Sequence, residues 1–434
     1  MSHGSRRTIA VVGVFFLLAA GGLAALYLRG RRDVTTSSEA AYQAYREALQ
    51  NERRFYFKEA RVGFAQAVAL DPEFAEALLG LARRSDRDQA VSLIERARRQ
   101  RDRLTERERL HVDLQNAAQE AKRDVVVEIA RKIREKHPED IRAAMVLAGN
   151  EIATGHTDRA LQIFSELLAI EPNNADAYNQ IGYVFGYRGD YEKAIENLKK
   201  YQFMAPDQAN PYDSLGEILA YSGRYDEAIA NLNRALVLKP DFFESYGHLG
   251  VVYEGRGEYG KAIESYLRAA RETVTDGQRA GYLGRAFRAA MYAGDRVSAA
   301  RIAGEIRALP KSKEQELRNA STEAALALTE GRFAEAEKAL TELRAKWLAM
   351  FQKEFAAAGY KPYVPEGNFL MARAKVALGK EDEAIALFEE MANPPNPWRD
   401  FEGRRWVYEG RACLAESLAR KGDLDRAEQL LAAN

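Results

Sequence analysis

Cysteine is almost absent from this sequence: Cys413 is the only one among 434 residues. A single cysteine excludes an intramolecular disulfide framework and a CxxC site, and it leaves the redox compartment open. Because Cys413 shares an apolar helical face with Leu414 and Leu418, we expect a buried core thiol rather than a reactive one.

The sequence also lacks an excess of charge of either sign, with 64 basic and 64 acidic residues. A balanced chain has no overall field that favours nucleic acid, so we do not expect a nucleic-acid partner. Residues 83–109 are the most basic stretch, with ten arginines against six acids. Interleaved signs of this kind are typical of a solvated helix face, and anionic lipid headgroups or RNA are the alternative partners for it.

Chemical motifs are missing as well. The five histidines are scattered with no i, i+4 pair and no HExxH, so we expect no metal site. There is no GxSxG, and no pair of carboxylates stands out from those on the helix faces. We therefore expect no catalysis and no cofactor. Strand-like alternation is also absent, which favours an all-helical chain.

One apolar run is present near the start of the chain. Residues 9–28 carry no charge and lie between a short basic tail, 1–8, and a linker, 29–37. Twenty residues at about 1.5 Å each match the roughly 30 Å hydrocarbon core of a bilayer, so the run predicts a transmembrane anchor. We expect a single-pass protein of the cell inner membrane, and flanking arginines leave the periplasmic or cytoplasmic side of the remaining chain open.

The apolar run 9–28 has one alternative interpretation, and a retained span would have one further consequence. Cleavage of residues 1–24 as a signal peptide is the alternative to a retained span. If the span is retained, the small residues Ala20 and Ala24 would allow a homodimer through the anchor, because such pairs let two helices approach closely.

From residue 38 onward the chain follows a 34-residue step. A period of this length, built from two amphipathic segments, is typical of a helical solenoid in which each repeat packs on its neighbours. We predict an all-α solenoid of about eleven antiparallel helix pairs. The step is carried by three residue types: Gly155, Gly189, Gly223 and Gly257; Ala160, Ala194, Ala228 and Ala262; Pro138, Pro172, Pro206 and Pro240.

The repeat 175–208 shows why these residues recur. Gly189 stands where the first helix ends, since a left-handed residue is needed there and glycine adopts it at low cost. Asp190 follows as the cap of the second helix. Ala194 is small where the two helices cross, and Pro206 stops the second helix.

This pattern resembles the tetratricopeptide repeat (TPR) family. The resemblance rests on large apolar residues at the fourth, seventh and eleventh places, glycine or alanine at the eighth, alanine at the twentieth and proline at the thirty-second. It is strongest in four repeats over 141–276, and degenerate TPR-like pairs precede them at 38–140 and follow them at 277–434. The resemblance implies a right-handed superhelix. Tyr201 departs from it, because the family prefers alanine there, and predicts irregular packing.

A glycine-rich stretch, Gly255 to Lys261, satisfies GxGxxG and is close to a P-loop. Both motifs need a strand before the loop so that backbone N–H groups converge on phosphate. Here a helix precedes the loop and Gly257 occupies the turn position of the repeat. We therefore interpret the stretch as part of the 34-residue register.

The resemblance also implies where a partner binds. In TPR proteins the first helix of each repeat lines a concave groove, and the set that clamps a C-terminal carboxylate in some members is missing here. The remaining residues suit a peptide with basic and apolar side chains, and the alternative is that they are simply concave surface. The insertion 359–366 is a second candidate. The groove positions are Asp176, Asn179, Tyr183, Tyr187, Asn210, Asp213, Glu217, Tyr221, Glu244, Val251 and Glu254.

These observations predict a membrane-anchored scaffold, of bacterial type, that binds another protein or peptide through its concave groove. The alternatives are an exported soluble protein that binds RNA, glycan or peptide, and a sensor-type module of a bacterial signalling system. An undetected enzyme is a third possibility. A repeat fold by itself does not decide among them.

Overall fold

The structure is a computed structural model that describes residues 34–357, 364–394 and 401–432. Within these ranges the chain forms 22 α-helices, one 3-10 turn and no strand, so the predicted all-α class is confirmed. The helices follow one another as eleven pairs, and each pair packs on the next along the chain.

The helices are numbered in chain order. Pairs one to four are α1 Glu39–Arg53 and α2 Phe57–Leu70, α3 Ala75–Ala82 and α4 Arg87–Arg99, α5 Glu106–Gln119 and α6 Arg123–Lys136, α7 Ile141–Thr154 and α8 Thr157–Ile170. Pairs five to eight are α9 Ala175–Arg188 and α10 Tyr191–Met204, α11 Ala209–Tyr221 and α12 Tyr225–Leu238, α13 Phe243–Gly255 and α14 Tyr259–Glu272, α15 Asp276–Tyr292 and α16 Arg296–Arg307. Pairs nine to eleven are α17 Lys313–Thr329 and α18 Phe333–Ala357, α19 Pro365–Ala377 and α20 Glu381–Ala392, α21 Phe401–Arg420 and α22 Leu424–Ala432.

The membrane prediction needs correction. Among the described residues, no helix is both long enough and apolar enough to cross a bilayer, and even the 25-residue α18 carries charges along its length. The predicted location as a single-pass protein of the cell inner membrane is therefore wrong for the described part of the chain. The predicted anchor, 9–28, lies outside the described residues, and so does the homodimer contact assigned to it.

Small residues hold the two helices of each pair close together. Ala160, Ala194 and Ala228 are fully buried at the crossing of their pairs. On the opposite helix, a Cβ added to Gly216 would lie 2.7 Å from Leu232 Cγ, which is too close for a real contact. The distance between packed helices depends on the side chains at their contact. The recurring alanines and glycines therefore set the spacing within a pair.

The turns between paired helices have the conformation that the sequence predicts. Gly155, Gly189, Gly223 and Gly257 have φ values of 94°, 81°, 79° and 73°, in the left-handed region that favours glycine. Gly257 lies between α13 and α14, so a helix precedes the GxGxxG stretch and the register accounts for its glycine.

The off-pattern Tyr201 is accommodated between pairs five and six. Its side chain is 1% exposed, and its hydroxyl accepts a hydrogen bond from Asn210 Nδ2 at 2.9 Å. The ring therefore fills the joint between the two pairs, and the Asn210 amide satisfies its polar atom.

Several arginines of the basic stretch 83–109 pair with carboxylates of neighbouring helices rather than of their own. Arg84 Nη2 lies 2.9 Å from Glu52 Oε1, and Arg107 Nη2 lies 2.7 Å from Asp140 Oδ2. These pairs link successive helix pairs, and they account for part of the positive charge in this stretch.

The coil returns to its own start, so the expectation that each repeat packs only on its neighbours is wrong. Lys58 Nζ lies 2.7 Å from Glu272 Oε2, and Lys239 Nζ lies 2.6 Å from Glu59 Oε1. The rings of Tyr56 and Phe242 pack edge to face beside these ion pairs. Small rotations between successive pairs add up over the solenoid. They bring pair one onto pairs six and seven.

We expect Gly216→Ala to lower the urea midpoint of unfolding, because the new methyl group would overlap Leu232 and overpacking costs about 1–3 kcal/mol. Circular dichroism during urea titration measures the change. Gly149→Ala is the matched control, since Gly149 is also helical, is exposed and has nothing within 4 Å of an added Cβ. It should raise stability by about 0.5–1 kcal/mol. Equal effects of the two substitutions would contradict the proposed role of Gly216.

Candidate protein-binding face

The first helices of pairs five to seven, α9, α11 and α13, carry all eleven predicted groove residues. Each of the eleven is buried or half-buried, and none is exposed. Other parts of the same chain therefore cover much of the surface that the repeat pattern predicts to be open.

One group of these side chains forms a hydrogen-bonded cluster. Tyr183 donates its hydroxyl proton to Glu217 Oε2 at 2.7 Å, and Ser245 donates to Asp213 Oδ1 at 2.7 Å. His248 lies between the two acids, with Nδ1 3.0 Å from Asp213 Oδ1 and Nε2 3.5 Å from Glu217 Oε1. Glu244 lies beside this group, within the electrostatic influence of Asp213 and His248, although its Oε2 is buried without a hydrogen-bond partner. We call the group and Glu244 together the inner polar cluster; its members are Tyr183, Asp213, Glu217, Glu244, Ser245 and His248.

The environment of the inner polar cluster shifts the pKa values of Tyr183, Glu244 and His248, and burial raises that of Tyr183 well above its usual range. Burial alone would lower the pKa of His248, but the charges of Asp213 and Glu217 outweigh burial and raise it to about 9. Burial, followed by the charge of Asp213, raises the pKa of Glu244 to about 8. At neutral pH His248 therefore carries a proton, and Glu244 is largely uncharged.

Pairs one and two cover this part of the inner face. The Phe57 ring packs 6.5 Å from Phe243, and the Arg84 guanidinium lies 3.9 Å from the centre of the Phe57 ring. Arg84 also lies close enough to Glu244 to lower its pKa somewhat. The inner polar cluster therefore lies at the contact between pairs five to seven and pairs one and two, which are distant in sequence.

Four predicted groove residues lie apart from the inner polar cluster. Asn210 donates its side-chain hydrogen bond to the Tyr201 hydroxyl, and the centre of the Tyr187 ring lies 6.2 Å from that of Tyr183. Asn179 is 1% exposed, and burial raises the pKa of Asp176. These positions contribute to packing along α9 and α11.

The remaining three predicted residues, Tyr221, Val251 and Glu254, line one cavity of about 700 Å³. Its volume lies within the roughly 300–1,000 Å³ range of ligand clefts in proteins. Seven aromatic side chains surround it, and we call it the tyrosine cavity. They are Tyr191, Tyr221, Tyr225, Tyr259, Tyr292, Phe369 and Tyr408.

Three of these tyrosines come from the repeat register. Tyr191, Tyr225 and Tyr259 each open the second helix of a pair, two residues after a turn glycine. The Tyr225 hydroxyl reaches the place where a Cβ of Gly255 would stand, at 2.6 Å. This set was not among the predicted groove residues, although its members recur at the same 34-residue step as the turn glycines.

The opposite wall comes from pairs eight, ten and eleven. Tyr292 donates its hydroxyl proton to Glu409 Oε2 at 3.0 Å, and its ring lies 6.4 Å from Phe369. Cys413 also lines this wall, and burial raises the pKa of its thiol to about 11, so the thiol stays protonated. No local sequence pattern marks these residues, because the repeats that carry them are degenerate.

The chemistry available in the tyrosine cavity is that of a binding surface. Aromatic rings offer large contact area with little entropy cost, and the carboxylates of Glu254 and Glu409 add negative charge. In the described ranges, no group of three or more histidine, cysteine, aspartate or glutamate side chains is arranged to hold a metal ion.

Comparisons with known proteins agree with this architecture. Family models described as "TPR repeat" and "Tetratricopeptide repeat" match residues 163–196, 216–255 and 245–280. The chain therefore contains tetratricopeptide repeats, as the resemblance implied. A comparison with curated proteins found no match.

Among solved structures, the chain is similar to one described as the APC/C hetero-tetramer Cut9-Hcn1, with 14% identity and a TM-score of 0.50 over 92% of this chain and 74% of that chain. This likeness supports the TPR-like solenoid fold. Two structures of MamA share 20% identity over 37% and 38% of this chain, and they cover 93% and 89% of their own chains. Their TM-scores of 0.30 support no further conclusion.

We expect the stability of the protein to fall as the pH rises from about 6.5 to 9. The His248 pKa is raised from 6.5 to about 9, so its stabilising contribution is complete below pH 6.5 and is lost as pH rises through 9. The pKa of Glu244 is raised from 4.5 to about 8, so this group destabilises the fold progressively from pH 4.5 to 8 and adds to the loss over the lower part of this range. Urea titration at pH 6.5 and pH 9 measures the change.

Two variants separate these contributions. His248→Gln should lower the midpoint at pH 6.5 and have little effect at pH 9, whereas Glu244→Gln should raise the midpoint at pH 9. His156→Gln is the control, because the His156 side chain is 56% exposed. If all four proteins lose stability in parallel, the inner polar cluster does not control the pH dependence.

Proposed function

We propose that this chain is a non-catalytic TPR scaffold that binds an extended segment of a partner protein in the tyrosine cavity. The TPR fold is generally a protein-binding scaffold rather than an enzyme, which supports the general class of function. The tyrosine cavity is the observation that supports the specific site. Its wall on pairs five to seven holds Tyr221, Val251 and Glu254, three of the residues predicted to contact a partner.

The composition of the tyrosine cavity indicates the partner's side chains. Tyrosine is enriched among the residues that contribute most to binding at protein interfaces, where it fills pockets from which water is excluded. Glu254 and Glu409 accept hydrogen bonds from Tyr266 and Tyr292 at 2.9 and 3.0 Å. Their carboxylates can also attract a cation. A segment with an apolar side chain and a neighbouring lysine or arginine fits these walls.

We expect the full chain to enrich peptides from a random display library, and Tyr221→Ala/Tyr408→Ala to bind the enriched peptides about 30-fold more weakly or worse, because hot-spot truncations cost about 2 kcal/mol or more. Fluorescence polarisation with labelled synthetic peptides measures the affinities.

The matched control for this experiment is Phe203→Ala. Phe203 is an aromatic residue on α10 that is 85% exposed and lies away from the tyrosine cavity. Circular dichroism should show that both variants keep their helical content. If no peptide is enriched, or if the tyrosine variant and the Phe203 variant bind equally well, the tyrosine cavity is not the binding site.

A further inference from the structure

A second cavity, of about 280 Å³, adjoins the tyrosine cavity. It is bounded by the first helices of pairs eight to eleven together with α18, and Tyr292 and Phe369 line both cavities. Four arginines face it, Arg288, Arg318, Arg344 and Arg373, and Glu366 is the one carboxylate that the described residues contribute to its lining. We call it the arginine cavity.

Most of this positive charge is not neutralised within the described residues. Arg318 and Arg373 make no hydrogen bond or ion pair there through their guanidinium groups, and Arg288 Nε is buried without an acceptor. Arg344 is the exception, since its Nε donates to Asn368 Oδ1 at 3.0 Å and its Nη2 lies 3.6 Å from Glu390 Oε2. Arg288, Arg318 and Arg344 are half-buried and Arg373 is exposed, so their guanidinium donors can be reached by a ligand. Buried polar groups in proteins are normally hydrogen-bonded, and a bound anion would supply the acceptor that the buried Arg288 Nε lacks.

The walls between the arginines are apolar and aromatic. Trp406 is 5% exposed and Phe287 is 6% exposed. The Arg288 guanidinium lies 5.6 Å from the Trp406 ring centre, and that of Arg373 lies 5.7 Å from Phe369. Stacking on rings holds guanidinium groups in place, and beside the buried Trp406 a low local dielectric strengthens the attraction of Arg288 for an anion.

These observations favour a carboxylate attached to an apolar body. Arginine presents paired N–H donors whose spacing matches the two oxygens of a carboxylate. The rings of Trp406 and Phe287 would contact the carbon chain that carries it. Of the sequence-predicted insertion 359–366, residues 359–363 lie outside the described residues, while Val364, Pro365 and Glu366 line the rim of this cavity.

We infer that the arginine cavity binds an acidic side chain, flanked by apolar residues, of the same partner segment that occupies the tyrosine cavity. The inference rests on the proposed function, because it places both cavities along one bound peptide. The two sites differ in charge, with carboxylates in the tyrosine cavity and guanidinium groups in the arginine cavity. A bound segment would therefore have a defined direction, with its basic end at the former and its acidic end at the latter.

The test uses peptides enriched by the full chain, resynthesised with acetylated and amidated ends so that side chains supply the only carboxylates. Each is compared with a counterpart in which aspartate and glutamate are replaced by asparagine and glutamine. We expect the acidic form to bind about tenfold more tightly or better, since a charge-assisted hydrogen bond contributes more than a neutral one. Equal affinity of the two forms would overturn the inference and leave the proposed function intact, whereas failure to enrich any peptide would overturn both.

Arg318→Gln/Arg373→Gln tests the location. This variant should bind the acidic peptide about tenfold more weakly and bind the amide counterpart as the unaltered chain does. Arg131→Gln, an exposed arginine on α6, is the matched control and should change neither affinity. If the double variant and the control bind the acidic peptide alike, the arginine cavity is not its site. Complete displacement of the acidic peptide by inorganic phosphate, with the amide form unaffected, would show a general anion site and also overturn the inference.

Discussion

Close approach of the two helices within each pair is the constraint on which the rest of the structure depends. It requires a residue without a large side chain at the crossing, such as Ala228 against α11 or Gly216 against Leu232. A bulkier residue at either position would widen the pair and change the angle at which the next pair packs. Since each pair packs mainly on its sequence neighbours, a local change of angle is passed on to every pair that follows. The shape of the whole coil is therefore set by a small number of repeated contacts.

The angles between successive helix pairs add up along the chain until the coil meets its own first pair. After five further pairs, the coil brings pairs six and seven against pair one, where Lys58, Lys239 and Tyr56 form contacts between residues 153 to 214 positions apart in sequence. Next to these contacts, Phe57 and Arg84 cover the inner polar cluster, and burial together with nearby acids shifts the pKa values of His248 and Glu244. Surface that a straight array would leave open becomes interior. Beside pairs eight to eleven, the inner face keeps cavities large enough for a partner's side chains.

The sequence predicts what is local and repeated. The turn glycines, the buried alanines and the succession of helix pairs follow from interactions within some 34 residues, and the same register places Tyr221, Val251 and Glu254 on the inner side. It cannot predict which distant pairs meet, because that depends on the sum of many small rotations. For this reason Asn210 and Asp213, read as groove residues, are buried in the structure. The aromatic residues of pairs ten and eleven lie in degenerate repeats, where no register identifies the inward positions.

The tyrosine cavity is assembled from two distant stretches of chain, and this matters for any attempt to isolate it. The family-matched residues lie between 163 and 280, and they supply Tyr191, Tyr225 and Tyr259 on one wall. The facing wall begins at Tyr292 and extends to Cys413, beyond every matched repeat. A fragment trimmed to the recognisable repeats would retain the complete family signature and only half of the cavity. In this protein, the segment that the sequence identifies as repeats is shorter than the segment needed to form the complete cavity.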